Sequence, residues 1–87
     1  MPLHNALAAA FEDEVVILDA EGRNLLLLDV WAARIWRSCE GNSTEAIRSA
    51  SGGTPERVQE TLQALAEAGL IARTGDIWAR SPVEWVP

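Results

Sequence analysis

The feature that most constrains the fold is a run of four leucines at 25–28. A leucine run this short suits a buried strand and a buried helix segment equally well, so periodicity alone does not distinguish them. The flanking residues do. Asp29 is a typical N-cap residue, because its carboxylate can accept hydrogen bonds from the free N–H groups of a first helical turn. Gly22 permits a tight turn on the other side, so we predict a hairpin whose returning strand is 24–28.

Length, charge and cysteine content limit the classes of protein that fit. Eighty-seven residues predict one domain with a small core, which we place at 1–87 with an extended tail at 81–87. One cysteine and one histidine allow neither an internal disulfide nor a zinc site, so we expect no metal and no cofactor. The net charge of -6 disfavours nucleic-acid binding. With no apolar run near the roughly 20 residues of a membrane span, and no signal segment, we expect a cytoplasmic protein without a membrane partner.

Two β-prone segments precede the leucine run. The segment 15–19 contains three β-branched residues, which favour a strand, and we place another strand at 7–11. Together with 24–28 they predict a sheet whose two faces are both apolar, because successive side chains of a strand point to opposite sides. One face must pack on helices. The residues alone do not decide which leucines of 25–28 lie on that face.

Two helices are predicted after the leucine run. The first begins at Val30 and is predicted to end at Gly41, which supplies the left-handed position after a helix. The second, shorter helix is capped by Asn42 or by Ser43 and runs to about residue 50. We place three side chains of the first helix in the core: Trp31, Trp36 and Cys39.

The third helix has the clearest pattern. Thr54 is a cap, Pro55 occupies the first helical position, and Gly69 closes the helix. Two β-prone segments, 70–73 and 77–80, then flank a glycine-containing turn and predict a small hairpin of the kind that forms the wing of a winged helix-turn-helix. The apolar stripe of the third helix comprises Val58, Leu62, Leu65 and Ala66.

Taken in order, these elements resemble the PqqD-like family, the precursor-peptide recognition elements of ribosomally synthesised and modified peptides. The resemblance covers roughly residues 11 to 72. It departs from the family pattern Gly-x-x-Tyr-x-Leu-Asn, because the segment 22–29 has no tyrosine and ends in Asp, so the subfamily stays open. The segments that carry the resemblance are Val16-Ile17-Leu18-Asp19, Leu27-Leu28-Asp29, Ala33-Arg34-Ile35-Trp36, Gly41, Thr44-Glu45-Ala46-Ile47 and 62–71.

The resemblance implies an α+β fold in which a three-stranded antiparallel sheet packs on a three-helix, winged helix-turn-helix-like bundle. It also implies that the leader segment of a precursor peptide adds as a strand to 24–28 and reaches the cleft beside the third helix. Such a domain is no enzyme; it delivers the leader to a separate enzyme, with a lasso-peptide leader protease favoured and a radical or other modifying enzyme next. The peptide-binding residues implied are Asn24, Leu25, Leu26, Leu27, Leu28, Arg57, Val58, Thr61, Leu62 and Leu65.

Two other classes stay open. A winged-helix DNA-binding regulator shares the helical half, but its recognition helix would carry three glutamates against Arg57, which opposes contact with phosphates. A homodimer is the second alternative, because an open strand edge can pair with a copy of itself across a two-fold axis. An enzyme is disfavoured, since the sequence offers no nucleophile with a base and no phosphate-binding glycine loop.

Overall fold

The structure, a computed structural model, describes residues 6–19 and 24–86. The predicted turn at Gly22 and the single histidine, His4, lie outside the described residues. The strands are β1 (Ala6–Phe11), β2 (Glu14–Asp19), β3 (Asn24–Leu28), β4 (Glu40–Ser43), β5 (Ile71–Thr74), β6 (Ile77–Arg80) and β7 (Glu84–Trp85). The helices are α1 (Val30–Ser38), α2 (Thr44–Ser51) and α3 (Pro55–Glu67).

The strands form two sheets. The first has the order β3-β2-β1-β7, with β1, β2 and β3 antiparallel to their neighbours and β7 parallel to β1. The second has the order β4-β6-β5. The α+β class, the three N-terminal strands and the three helices are therefore confirmed. The first sheet gains one strand over the prediction, because the chain after residue 81 returns to pair with β1.

The end of the first helix was predicted wrongly. Cys39 caps α1, and its backbone N–H donates to the carbonyl of Trp36. Gly41 instead lies inside β4, where the pairing with β6 shifts register between residues 40 and 42. Its φ of 76° is the left-handed conformation that a bulge of this kind favours. The glycine thus bends a strand rather than ending a helix.

The caps of α2 and α3 follow from side-chain chemistry. The Ser43 hydroxyl accepts from the N–H of Ala46 at 3.2 Å, so Ser43 and not Asn42 is the cap of α2. The Asn42 amide donates to the carbonyl of Ser38 at 2.7 Å instead. The Thr54 hydroxyl accepts from the N–H of Arg57, as predicted. These bonds satisfy N–H groups that have no partner within a helix.

The core lies between the first sheet and the helices. Val15 and Ile17 on β2 are fully buried, as are Ile35 and Trp36 on α1. Trp85 on β7 approaches the Trp36 ring, with the ring centres 5.8 Å apart. The C-terminal tail therefore packs against the core at Trp36. None of the helices in the described ranges is long and apolar enough to span a membrane.

Cys39 lies in this core, as predicted, and its burial has a chemical consequence. Burial raises the pKa of the thiol from 9.0 to about 12, against a smaller opposing effect of the Arg80 charge. The thiol donates to the carbonyl of Ile35 at 3.3 Å. The native state therefore holds Cys39 as a neutral thiol. Since the thiolate is the reactive form, we expect a thiol reagent to modify the folded protein only through unfolding.

The same burial predicts a loss of stability at alkaline pH. The folded pKa lies above the unfolded value, so the unfolded state loses its proton first, and the free energy of unfolding falls by a few kcal/mol as pH rises from 9.0 towards about 12. The sequence contains no lysine and no tyrosine, so no other side chain titrates in this range below arginine. Denaturant unfolding across this range measures the slope, and Cys39→Ala should abolish it. A slope that persists in the variant would contradict the assignment.

Candidate functional site

The strand β3 lies at the open edge of the first sheet. It pairs with β2 on one side, from Asp19 opposite Asn24 to Val15 opposite Leu28. The other side faces no strand among the described residues. Backbone N–H and C=O groups of alternate residues point to this side, because a strand directs them alternately to its two neighbours. An open edge of this kind is a template for another extended chain.

The pleat of β3 decides the direction of each leucine, which the sequence left open. Leu28 is 5% exposed and lies opposite the buried Val15, so it belongs to the core. Leu26 is half-buried and lies opposite Ile17 on the same face. Leu25 and Leu27 are 70% and 64% exposed and lie on the outer face. The strand therefore has an inner face, an outer face and an open edge with distinct surroundings.

A groove of about 390 Å³ runs beside this edge, between β3 and α3. Residues at the start of α1, and Leu70 after the end of α3, complete its lining. Most of the lining is apolar, with Leu65 and Leu70 almost fully buried beneath it. The lining residues are Leu26, Leu27, Leu28, Asp29, Trp31, Ala32, Glu60, Thr61, Ala64, Leu65, Ala68 and Leu70.

Trp31 is held against α3 from three sides. Its indole N–H donates to the Thr61 hydroxyl at 2.8 Å, and this hydroxyl donates to the carbonyl of Arg57 at 2.9 Å. The Arg57 guanidinium lies 4.1 Å from the centre of the indole ring, a cation–π contact. Gly53 leaves room for the far edge of the ring. A Cβ at position 53 would lie only 2.3 Å from Cη2 of the indole. These contacts give the groove a fixed aromatic side.

The charges that line the groove are negative. Asp29 and Glu60 are exposed, and neither forms an ion pair within the described ranges. Asp29 Oδ1 accepts from the N–H of Ala32 at 2.8 Å and so caps α1, as predicted. Arg57 lies close by but is stacked on Trp31. The groove combines an apolar surface with two carboxylates and an open backbone edge, which suits binding of an extended peptide.

The structure brings together half of the predicted site residues. Leu26, Leu27, Leu28, Thr61 and Leu65 line the groove. Asn24 begins the edge strand, Leu25 points to the outer face, and Arg57 supports Trp31. Val58 and Leu62 do not line the groove. Both are fully buried in the core, so their expected place on the cleft wall is corrected.

The misplacement of Val58 and Leu62 has a geometrical cause. The prediction placed part of the cleft wall on the core stripe of α3, at Val58 and Leu62, whereas the neighbouring row of 61, 64 and 68 lines the groove. These positions are spaced three and four residues apart and therefore share one face of a helix. All three are small residues, Thr61, Ala64 and Ala68. This row of small residues beside an apolar stripe was the signal that could have located the wall. Trp31 was predicted as core and is half-buried instead.

Comparison with known proteins agrees with this architecture. The family model described as coenzyme PQQ synthesis protein D (PqqD) matches residues 14–71, which is 58 of the 87 residues. The chain belongs to the PqqD family. It is also similar to the solved structure described as TbiB1 in complex with the TbiA(beta) leader peptide. The TM-score is 0.66 and the identity 28%, over 87% of this chain and 100% of that chain. None of the curated proteins compared with the chain matches it.

The contact of Gly53 with Trp31 yields a test of the groove wall. Gly53→Ala should displace the indole ring and cost about 1 to 3 kcal/mol of stability, because the ring has no space to accept a methyl group. The indole N–H resonance of Trp31 should shift as its bond to Thr61 is lost.

Gly52→Ala is the matched control. Gly52 has φ 74° with nothing within 4 Å of the added Cβ, so the cost of about 1 kcal/mol is backbone strain alone. The Trp31 resonance should then stay in place. An unchanged Trp31 resonance in Gly53→Ala would show that the ring is not clamped.

Proposed function

We propose that this protein binds the leader segment of a ribosomally synthesised precursor peptide as an added strand on β3. The observation that carries the proposal is the coincidence of an open strand edge with an apolar groove along the same strand. The similarity to TbiB1, whose structure contains a leader peptide, supports the same function. The binding unit proposed is the whole chain, 1–87, including its C-terminal tail.

The two parts of the site supply different components of recognition. The backbone groups of β3 bind any extended segment, because strand pairing uses main-chain hydrogen bonds alone. Side chains provide selectivity. In an added strand every second side chain points to the inner face, where the groove lined by Trp31, Thr61 and Leu65 accepts apolar groups. The peptide expected is therefore extended, with apolar side chains at alternate positions.

The proposed role is binding without catalysis. Among the described residues no group of three or more potential metal ligands occurs. The single cysteine is a buried, neutral thiol and no nucleophile. The module then acts by holding the leader near a separate enzyme and raising its effective concentration there. A lasso-peptide leader protease is the enzyme class favoured, and a radical or other modifying enzyme is the next candidate.

The structure also bears on the alternative of DNA binding. Glu56, Glu60 and Glu67 are exposed on α3, while Arg57 is engaged with Trp31. A surface of this charge opposes a phosphate backbone. The arginines of the β5–β6 hairpin are also engaged: Arg73 approaches Asp76 at 3.7 Å, and Arg80 pairs with Glu40 at 2.9 Å. Neither element offers free cations to nucleic acid.

Ala64→Arg is the sharpest variant for testing the groove. Ala64 is exposed and lines the groove, and its substitution removes no hydrogen bond. Arginine has high helix propensity, so the melting temperature should stay within a few degrees. Affinity for a synthetic leader peptide, from the precursor encoded beside this chain's gene, should fall about tenfold or more because the long side chain fills the groove. Titration followed by the amide resonances of 24–28 measures both affinity and location.

Gln59→Arg is the matched control. It adds the same charge to the same helix at an exposed position outside the groove, so leader affinity should be unchanged. Duplex DNA should leave the resonances of 24–28 in place. Binding of duplex DNA with a steep salt dependence, together with no binding of the leader, would refute the proposal. Equal leader affinity of both variants would place the site elsewhere on the chain.

A further inference from the structure

We propose that two arginines of α1, Arg34 and Arg37, bind an acidic segment of the precursor peptide that lies directly N-terminal to the part paired with β3. This inference rests on the proposed function, because it assigns a second contact to the same peptide. It names a property of the precursor that the groove alone does not require, namely Asp or Glu shortly before the strand-forming part.

Arg34 and Arg37 differ from the other described arginines in having no partner. Both are exposed, and the guanidinium of neither forms an ion pair, a hydrogen bond or a ring contact within 6–19 and 24–86. Acidic residues outnumber basic ones 13 to 7, so acidic partners within the chain are not scarce. The remaining described arginines are all engaged: Arg48 with Glu45, Arg57 with Trp31, Arg73 with Asp76 and Arg80 with Glu40.

The two side chains line a hollow of about 320 Å³ on the surface of α1. Val30, Arg34 and Arg37 are spaced four and three residues apart and therefore share one face of the helix. Val30 is 44% exposed and supplies an apolar contact at the start of the hollow. Ser38 and Asp13 complete the lining. Guanidinium groups bind carboxylates through paired hydrogen bonds, so this hollow suits an acidic side chain of a peptide.

The surrounding charge limits the kind of anion that fits. Asp13 is exposed and forms no ion pair with either arginine, so two cations face one carboxylate in the hollow. Glu12 and Glu14 are exposed beside it, and the net charge of the chain is -6, which together repel a long polyanion such as nucleic acid. A short acidic segment avoids most of this repulsion, because exposed charges beyond about 8 Å are largely screened at physiological salt.

The hollow begins where the proposed peptide site ends. Leu28 and Asp29 line the groove, and Val30, the next residue, lines the hollow. Arg34 and Arg37 lie roughly 6 and 10 Å beyond Val30 at the rise of an α-helix. An extended peptide advances about 3.3 Å per residue. A peptide that continues past Leu28 therefore reaches the arginines within roughly two to five residues.

The direction of the added strand decides which flank of the peptide reaches the hollow. Antiparallel pairing, which β3 already has with β2, is slightly more stable per residue than parallel pairing. A peptide antiparallel to β3 enters at Leu28 and leaves at Asn24, so its N-terminal flank faces the hollow. Main-chain hydrogen bonds alone are the same in either register. An acid bound at Arg34 and Arg37, together with two carboxylates that repel acids from the groove, selects one direction and one register.

The test compares two synthetic leaders. One is the leader of the precursor encoded beside this chain's gene, and the other, the neutralised leader, has Asn or Gln at each Asp or Glu before the strand-forming part. The neutralised leader should bind about fivefold more weakly at low salt, as two exposed ion pairs predict. Arg34→Gln/Arg37→Gln should weaken binding of the native leader equally and leave that of the neutralised leader unchanged. Asp13→Asn should strengthen binding of the native leader about twofold, an effect that a structural role of the arginines would not produce.

Arg48→Gln/Arg73→Gln is the matched control. It removes the same charge at two positions outside both the groove and the hollow, so leader affinity should stay unchanged. Glutamine keeps high helix propensity, so the α1 variant should retain its melting temperature within a few degrees. Titrations followed by the amide resonances of 24–28 and of 34–37 report the two contacts separately.

Four results would overturn this inference. They are equal affinity of the two leaders, a loss in the α1 variant that is the same for both leaders, a loss of affinity for the processing enzyme alone, and binding of duplex DNA that the α1 variant abolishes. The last two would assign the hollow to another partner. In each case a leader that still shifts the resonances of 24–28 leaves the proposed function intact, whereas a leader that shifts none of them contradicts that function.

Discussion

The pairing of β3 with β2 is the interaction on which the rest of the site depends. Val15 opposite Leu28 and Ile17 opposite Leu26 place alternate leucines in or against the core. A slip of one residue would exchange the two faces of β3 and expose Leu28 and Leu26 in place of Leu25 and Leu27. Because only Asp29 separates β3 from α1, the slip would also shift the start of α1 relative to the sheet. The strand register, the position of α1 and the lining of the groove therefore depend on one another.

The helix α3 serves two surfaces at once, and Trp31 connects them. Val58 and Leu62 hold the helix to the core, while the adjacent face of Thr61, Ala64 and Ala68 stays open as the groove wall. The small residues on that face leave the space between the helix and β3 unfilled. Trp31 bridges the gap by its bond to Thr61. The distance between strand and helix is thus maintained by packing on one face and by a polar contact on the other.

Sequence reasoning located the elements whose signals are local. The caps Asp29 and Thr54 and the bounds of β3 are read from neighbouring residues, and the structure confirms them. The strand β4 was missed because its residues, Glu-Gly-Asn-Ser, resemble a loop. Its strand character comes from pairing with β6, more than 30 residues later in the chain. Likewise β7 exists because the tail meets β1. Partners distant in sequence leave no local pattern.

The candidate site, like the fold, could be predicted only in part. The edge strand was predictable because cap and turn residues bracket it, but the groove wall required knowledge of which face of α3 turns towards the core. An apolar stripe indicates that a helix packs against the core. It does not indicate how far the adjacent face of the helix lies from the neighbouring strand. For that reason Val58 and Leu62 were placed on the wall, and Ala64 and Ala68 were not.

The size of the chain explains why so much apolar surface stays uncovered in the part that the structure describes. A domain of 87 residues buries a smaller fraction of its surface than a larger one, and its helices can cover one face of a sheet only. The outer leucines stay exposed for this reason, and the edge of β3 stays open because the chain turns directly into α1 after Leu28. Adding a strand to that edge would extend the inner and the outer face together, because one pleated chain contributes to both. Occupation of the groove and enlargement of the outer face are therefore coupled by the geometry of the sheet, without any change in the shape of the domain.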